Sequence, residues 1–422
     1  MSGTEGKVVA VKGTRDLLPP ETRVWNAVEA VAREVFALHA FEEIRTPVLE
    51  HTDLFVRGVG EATDIVHKEM YTFTDRGGRS VTLRPENTAG VARAFAANLA
   101  PKGGVHKLWY AGPQYRYERP QKGRYREFRQ IGAEVLGAAD PATDAELLSM
   151  LFHFLGRLGF TGLSVSLNSV GTDACRPAYV EALQAWLAPH VATMGEDDRR
   201  RLEQNPLRVL DTKDPAVKEL LPNAPRMLDH LDPESRAHHD ELVSLLGAAG
   251  VPYRVEPLLV RGLDYYTRTV FEVTASGLGA QDALLGGGRY DRLVSDIGGP
   301  RTPGIGFALG EDRLVDVLPE AFKLSALRAA DAVALVPLSR EDRAEALLLA
   351  RELRAAGVAV DLDPAGRGPG AGLKGAERKG LRRALLLGEV ERAGGTVVLR
   401  DMTARTQTTI PRGEIAALLS TR

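Results

Sequence analysis

Two runs of alternating residues, 108–118 and 128–136, constrain this chain more than any other feature. In the first, the odd positions Trp109, Ala111, Pro113, Tyr115 and Tyr117 are apolar or aromatic, and the even positions include Gln114, Arg116 and Glu118. In the second, Ile131, Ala133 and Val135 are apolar, and Gln130, Gly132 and Glu134 share the other parity. Side chains alternate across a strand, so the pattern predicts two paired strands with Arg116, Glu118, Gln130 and Glu134 on one face. A hairpin with a solvated face would satisfy that pattern. The glycine between Gln130 and Glu134, and charges on both strands, better suit a polar floor that receives a ligand.

Between the runs lies the densest positive charge of the sequence. Residues 115–130 hold six Lys or Arg against two carboxylates, with four aromatics interleaved. Arg119, Lys122, Arg124 and Arg126 sit in the connection. Arginine presents a planar fork of donors that matches phosphate oxygens and stacks on bases, and Phe128 stands where a ring could cover a nucleobase. These residues predict a polyphosphate or nucleic-acid site, with a charge-laced surface turn as the plainer alternative. The net charge of -2 and pI near 6.5 exclude a wholly basic nucleic-acid binder, so any polyanion must meet a local patch.

Composition narrows the remaining classes. The 422 residues predict two to three domains at roughly 150 residues each. Hydrophobic content of 44% and charged content of 26% are ordinary for a soluble globular protein. No stretch approaches the roughly 18 apolar residues of a membrane span, and the N-terminal residues lack the apolar core of a signal peptide. A single cysteine, Cys175, excludes a disulfide framework within the chain. The nine histidines show no metal-ligand spacing, which argues against a protein-held metal. A cytoplasmic or otherwise reducing location is expected.

Along the chain, a helix over 20–40 leads into the extended "FEEIRTPVLEHTDLF", where Pro47 suits a strand edge or start. A second helix is predicted over "NTAGVARAFAANL". Helical runs such as "RPAYVEALQAWL" and "ESRAHHDELVSLLGAAG" dominate from about 172 to 250. Strand signals return over 253–318, so the helical block reads as an insertion into one larger α/β domain. A further unit begins near Asp331 with the strand "DAVALVP". Ser339 is expected to open a helix, with Asp342 completing a capping-box pattern. Ala346, Leu349, Ala350 and Leu353 form its apolar stripe, and Gly357 ends it. The β-α-β-α-β order predicts a mostly parallel or mixed sheet. "PAGRGPGAGLKG", 364–375, is expected to be a flexible loop.

Other clusters carry candidate chemistry. In "LRPENTAG", Glu86 precedes a helix and Thr88 lies in its first turn. The carboxylate there either complements the helix dipole or, with Thr88, binds an ammonium group. "VRGLDYYTRTVFEV" sets Tyr265 and Tyr266 beside Arg261 and Asp264. "LLGGGRYDRLV" follows, with three glycines permitting close backbone approach ahead of a helix expected near Tyr290. "GIGFALGEDRL" lacks the spacing of a dinucleotide fingerprint, and Arg313 on the helix after it could point back at a phosphate.

Together these segments resemble the signature motifs of the class II aminoacyl-tRNA synthetases. "FEEIRTPVLEHTDLF" resembles motif 1, "YRYERPQKGRYREF" motif 2 and "GIGFALGEDRL" motif 3. "RGLDYYTRTVFE" and "GGGRYDRLV" are far more specific and resemble the histidyl-tRNA synthetase family, over essentially the whole chain. The resemblance implies an α/β fold with an α+β catalytic core: an antiparallel sheet flanked by helices over 1–170 and 251–325. It also implies a helical insertion over 171–250 and a separate anticodon-binding α/β domain over 326–422. Asn87 departs from the family, standing where "LRPEGTA" has glycine, and "GLKGAERKGLRR" fits the family's pattern loosely, so no anticodon contact is assigned.

Carried over residue by residue, the resemblance gives Arg116, Arg261 and Arg313 catalytic roles. Arg116 would bridge the ATP α-phosphate and the amino-acid carboxylate. Arg261 would engage the α-phosphate, and Arg313 would lie near the γ-phosphate. Glu118, Arg124 and Phe128 would handle the nucleotide, Phe128 by stacking on adenine. Glu86, Thr88 and Gln130 would meet the α-amino group of L-histidine. Glu134 and Tyr266 would read its imidazole, with Tyr265 alongside and Tyr290 closing the pocket. Arg119, Gln121, Lys122 and Arg126 would form a loop toward the tRNA acceptor end. The implied reaction forms histidyl-adenylate and pyrophosphate from L-histidine and ATP with Mg²⁺, then passes histidine to the 3′ end of tRNA(His). Motif 1 implies a homodimer. The alternative is a non-catalytic relative, the regulatory subunit of ATP phosphoribosyltransferase, which would lack the C-terminal domain.

Overall fold

The structure, a computed structural model, describes residues 8–60, 63–121, 123–276, 283–327, 332–363 and 368–420. The chain divides into two compact units, Met1–Lys323 and Leu324–Arg422.

The first unit is organised by eight strands: β1 (Glu42–Glu43), β2 (His106–Tyr115), β3 (Glu127–Leu136), β4 (Ser164–Ser169), β5 (Tyr253–Val255), β6 (Thr267–Thr274), β7 (Ala283–Arg289) and β8 (Gly304–Gly310). Their order across the sheet is β1-β2-β3-β8-β7-β6-β4-β5. Neighbours from β2 to β4 run antiparallel, and β1 and β5 add parallel edges. Gln130 lies opposite Gly112, and Glu134 opposite Leu108. Even positions on both strands therefore share a face, as the alternation requires.

Helices α1 (Thr22–Leu38), α2 (Thr88–Asn98), α3 (Pro141–Arg157), α4 (Pro233–Ala248) and α5 (Glu311–Val317) pack around this sheet. The odd face is apolar and covered: Phe36 of α1 stacks against Trp109 of β2, Phe154 of α3 and Phe307 of β8, with centroids 5.5, 5.3 and 6.2 Å away. Burial of such rings is the main favourable term available to the sheet, at about 25 cal/mol per Å² of apolar area. The even face carries the polar residues. There α2, Tyr265, Tyr266, Tyr290 and Val270 form a second apolar cluster. Between β4 and β5, the helix Arg176–Leu187 and the shorter helices after it bury a cluster of their own, including Tyr179, Leu183, Leu187, Val209 and Met227.

In the second unit the strand order is Val360–Leu362, Val333–Pro337, Arg383–Leu387, Thr396–Asp401, Gln407–Pro411. The first three are mutually parallel and the last two antiparallel. Ala346, Leu349, Ala350 and Leu353 are the buried face of the helix Arg343–Ala355, and Gly357 follows it at φ 82°.

Several local expectations need correction. β2 ends at Tyr115, so Arg116 and Glu118 lie beyond it. The Arg116 amide still donates to the Arg126 carbonyl at 2.9 Å, but the Arg126 amide donates to the Gly13 carbonyl at 2.7 Å instead of returning the ladder bond. Pro47 falls between strands rather than in one. Ser339 N and Oγ donate to Asp342 Oδ2 at 3.1 and 2.7 Å, but this closes a turn and the helix starts at Arg343. After Tyr290 the helix begins only at Leu293. The stretch 364–375 is not all loop. Residues 364–367 lie outside the described residues, and Pro369 opens a helix running to Arg378, where its missing N–H costs nothing. Gly372 there lets the helix sit directly on Val336.

Candidate active site

Two adjoining cavities open on the even face of the sheet. The smaller, of about 210 Å³, is lined by Glu86, Thr88, Arg116, Gln130, Glu134, Arg261, Tyr265, Tyr266 and Tyr290. These residues come from the start of α2 and the residues before it, the segment just after β2, β3, the 260–266 loop and the residue following β7. Glu86, 3% exposed, accepts from the backbone amides of Thr88 and Ala89 at 2.8 and 2.9 Å. Its carboxylate therefore closes the α2 N-terminus, the commoner of the two roles expected for it, while still facing the cavity. Asn87 stands at the N-cap position of the same helix at φ -112°, which does not require glycine, and its side chain accepts from Thr46 Oγ1 at 2.8 Å rather than from the helix amides.

Glu134 is the centre of the cavity. At 1% exposure its Oε1 accepts from Thr88 Oγ1 at 2.7 Å and Tyr110 Oη at 3.3 Å, and its Oε2 from Tyr290 Oη at 2.5 Å. Burial pushes its carboxyl up to about 8, against the pull of hydroxyls that favour the charged form. Burial likewise raises Glu86, offset by the two helix amides. The site depends on missing side chains too. Gly306 faces Glu134 across the β3–β8 ladder, and a Cβ there would collide with Glu134 Oε2. Gly286 leaves room for the Arg261 guanidinium in the same way.

The larger cavity, of about 520 Å³, is lined by Arg116, Glu118, Arg124, Phe128, Arg261, Glu272 and Arg313, among others. Arg116 donates through Nε to the Pro85 carbonyl at 2.8 Å, and its guanidinium lies 5.2 Å from the Phe128 ring centroid. Glu118 lies 3.7 Å from Arg116 and 4.0 Å from Arg124. Arg261 pairs with Glu272, while its buried Nε has no hydrogen-bond partner among the described residues. Arg116, Gln130 and Arg261 line both cavities, so an anion held in each would meet at these side chains.

Arg119, Gln121 and Arg126 line neither cavity, and Lys122 lies outside the described residues. Gln121 and Arg124 close the loop through reciprocal backbone bonds of 3.1 and 2.9 Å. Arg126 lies over the Tyr117 ring at 3.9 Å, so part of the positive charge is committed to packing.

Reading the sequence missed Tyr110, although its even position opposite Gly132 places it on the polar face. It also missed a buried network behind Tyr290. Arg289 donates to Asp144 at 2.8 and 3.0 Å, and Asp144 is bonded to Thr269 and His238 at 2.8 and 3.0 Å. No local spacing relates those four residues. Among the described residues, no group of three or more His, Cys, Asp or Glu side chains could hold a metal ion.

A family model described as Histidyl-tRNA synthetase matches residues 13–314, and one described as Anticodon binding domain matches 332–422. The chain is 50% identical to a histidine–tRNA ligase of Anaeromyxobacter dehalogenans over 98% of its own length and 100% of that protein. It is 48% identical to a histidine–tRNA ligase of Synechocystis sp., over 96% and 90% respectively. The solved apo histidyl-tRNA synthetase of S. aureus superposes with a TM-score of 0.81 at 33% identity, covering 98% of this chain and all of that one. Matches that run nearly end to end, across both units, leave one assignment: this chain belongs to the histidyl-tRNA synthetase family.

Proposed function

We infer that the chain is a histidine–tRNA ligase. It activates L-histidine with ATP to histidyl-adenylate and pyrophosphate, then transfers histidine to the 3′ end of tRNA(His). The observation that best supports this is the wall common to the two cavities. With histidine in the smaller and ATP in the larger, the amino-acid carboxylate and the α-phosphate meet beside Arg116 and Arg261. The carboxylate oxygen attacks the α-phosphorus and pyrophosphate leaves. Fixed guanidinium groups stabilise the redistributed negative charge without a covalent protein intermediate.

Glu86, Thr88 and Gln130 are assigned to the α-amino group. Glu134, with Tyr266 nearby, is assigned to the imidazole. A buried acceptor of that kind rejects analogues lacking the matching donor far better than an apolar pocket would. Phe128 is assigned to adenine, and Glu118 and Arg124 to the rest of the nucleotide. Arg313 takes the terminal phosphate. Arg119, Gln121, Lys122 and Arg126 are assigned to the tRNA acceptor end. Mg²⁺ takes few protein ligands and many from phosphate and water. Glu118 and Glu272 both line the larger cavity and would hold such an ion, which would arrive with ATP and offset phosphate charge. The further assignments are a catalytic core over 1–170 and 251–325, a helical insertion over 171–250 and an anticodon-binding domain over 326–422. A homodimer and a cytoplasmic location complete the reading. No helix among the described residues is long and apolar enough to cross a membrane.

A regulatory subunit of ATP phosphoribosyltransferase is disfavoured, because the anticodon-binding match extends over 332–422 and Arg116, Arg261 and Arg313 are all present. ATP–pyrophosphate exchange, run with each amino acid in turn, tests the function. Histidine-dependent exchange is expected, and silence from folded protein would overturn it.

A further inference from the structure

Residues 260–266 carry Arg261, Tyr265 and Tyr266 into the smaller cavity, and this wall is held from two sides. Leu263, Tyr265 and Tyr266 pack with the apolar cluster behind the cavity. Leu258 and Val260 pack instead against the separate cluster of Tyr179, Leu183 and Val209. Polar groups repeat the division. Asn205 Nδ2 donates to Asp264 Oδ1 at 2.8 Å. Arg208 donates to the Gly262 carbonyl at 2.5 Å, with its guanidinium 3.6 Å from the same Asp264 oxygen. Both donors follow the helix Glu196–Gln204, Asn205 ending it and Arg208 lying in the 3₁₀ turn Pro206–Asp211.

The two bonds fix the carbonyl of Gly262, the residue after Arg261, and the carboxylate of Asp264, the residue before Tyr265. The Asn205–Asp264 bond is part-buried, and a polar group partly shielded from water loses free energy when its partner is removed. Displacement of this wall by even about 1 Å can cost of order a hundredfold in rate.

We propose that Asn205 and Arg208 are positioning residues for amino-acid activation: through Asp264 and the Gly262 carbonyl they set Arg261 and the paired tyrosines. The inference rests on histidine being the ligand of that cavity. A shift of the 196–211 segment is thereby transmitted to the reacting groups. Arg208 also lines the larger cavity, so a direct effect on that cavity's ligand is separated by KM for ATP. Asn205 lines neither cavity, so its effect on them must pass through the loop.

The test uses the full chain in histidine-dependent ATP–pyrophosphate exchange, with both KM values and thermal melting recorded for Asn205→Ala, Arg208→Ala and Arg208→Lys. Asn205→Ala is expected to lower kcat/KM for histidine about tenfold while its KM for ATP and its melting temperature hold. Arg208→Ala is expected to lose kcat/KM for histidine as well with KM for ATP unchanged, since a raised KM for ATP would mean direct contact with the ligand of the larger cavity. Arg208→Lys, which can still donate to the Gly262 carbonyl, is expected to recover most of the loss. Three results would each overturn the proposal: wild-type kcat/KM in Asn205→Ala, equal damage in Arg208→Lys and Arg208→Ala, or activity that falls only in step with the folded fraction. Silence of the wild-type chain would instead defeat the histidine assignment, a separate failure.

Discussion

The two adjoining cavities solve opposite problems with the same sheet face. The smaller is built from buried, mutually bonded groups, with Glu134 and Glu86 1% and 3% exposed. The larger is built from arginines that keep contact with water, the Arg124 side chain being 57% exposed. Burial raises the cost of leaving any polar partner unmatched, which gives selectivity. Partial exposure keeps guanidinium groups charged and adaptable, which suits a polyphosphate that arrives and leaves within each cycle. Under the proposed assignment, discrimination falls to the buried cavity and charge stabilisation to the wetter one.

Four measurements would break or sharpen that contrast. The largest effect is expected from Glu134→Ala, which should lower kcat/KM for histidine in pyrophosphate exchange by about 10⁴-fold and barely change ATP binding. A comparable loss of ATP affinity would mean that the cavities do not divide the labour. Arg261→Ala, on the shared wall, should cut the rate of adenylate formation about 10²- to 10³-fold in single-turnover assays. Equilibrium histidine binding should change much less.

The third concerns pH. The Glu134 carboxyl keeps its proton up to about pH 8 in the folded chain but ionises near 4.5 when unfolded. Between those values the folded state holds the extra proton, so stability falls as pH rises. The integrated penalty at pH 7 is at most about 3 kcal/mol. Glu134→Gln should therefore flatten the decline in melting temperature of the ligand-free protein between pH 5 and 8, by about that order. An unchanged pH profile would show that the carboxyl is already ionised. The smallest effect is expected from Phe128→Ala. Loss of one stacking ring, about 1–3 kcal/mol, should raise KM for ATP about tenfold and leave KM for histidine alone.

What could be read from the sequence was set by local periodicity. The alternation of 108–115 and 128–136 fixed which residues share the polar face, because side-chain direction follows from backbone geometry alone. The helix Arg176–Leu187 and the stripe Ala346, Leu349, Ala350 and Leu353 were legible for the same reason. Strand ends were not. β2 stops at Tyr115 because the Arg126 amide, which would return the next ladder bond, finds the Gly13 carbonyl instead, a partner whose position only the assembled fold provides. Pro369 and the glycines after it suggest a loop in isolation, yet Val336 beneath Gly372 gives that segment a surface on which to be a helix.

The sequence by itself determined the parity of the polar face, the concentration of arginines at 116–129 and the segments that match the family. Each of these is carried by neighbouring residues, whose spacing is covalent. Tertiary structure decided that Thr88, Tyr110 and Tyr290 all converge on one buried carboxylate. It also decided that Asn205 and Arg208, more than fifty residues upstream, hold the loop bearing Arg261. Those contacts depend on how distant segments exclude water together, and no local pattern records it.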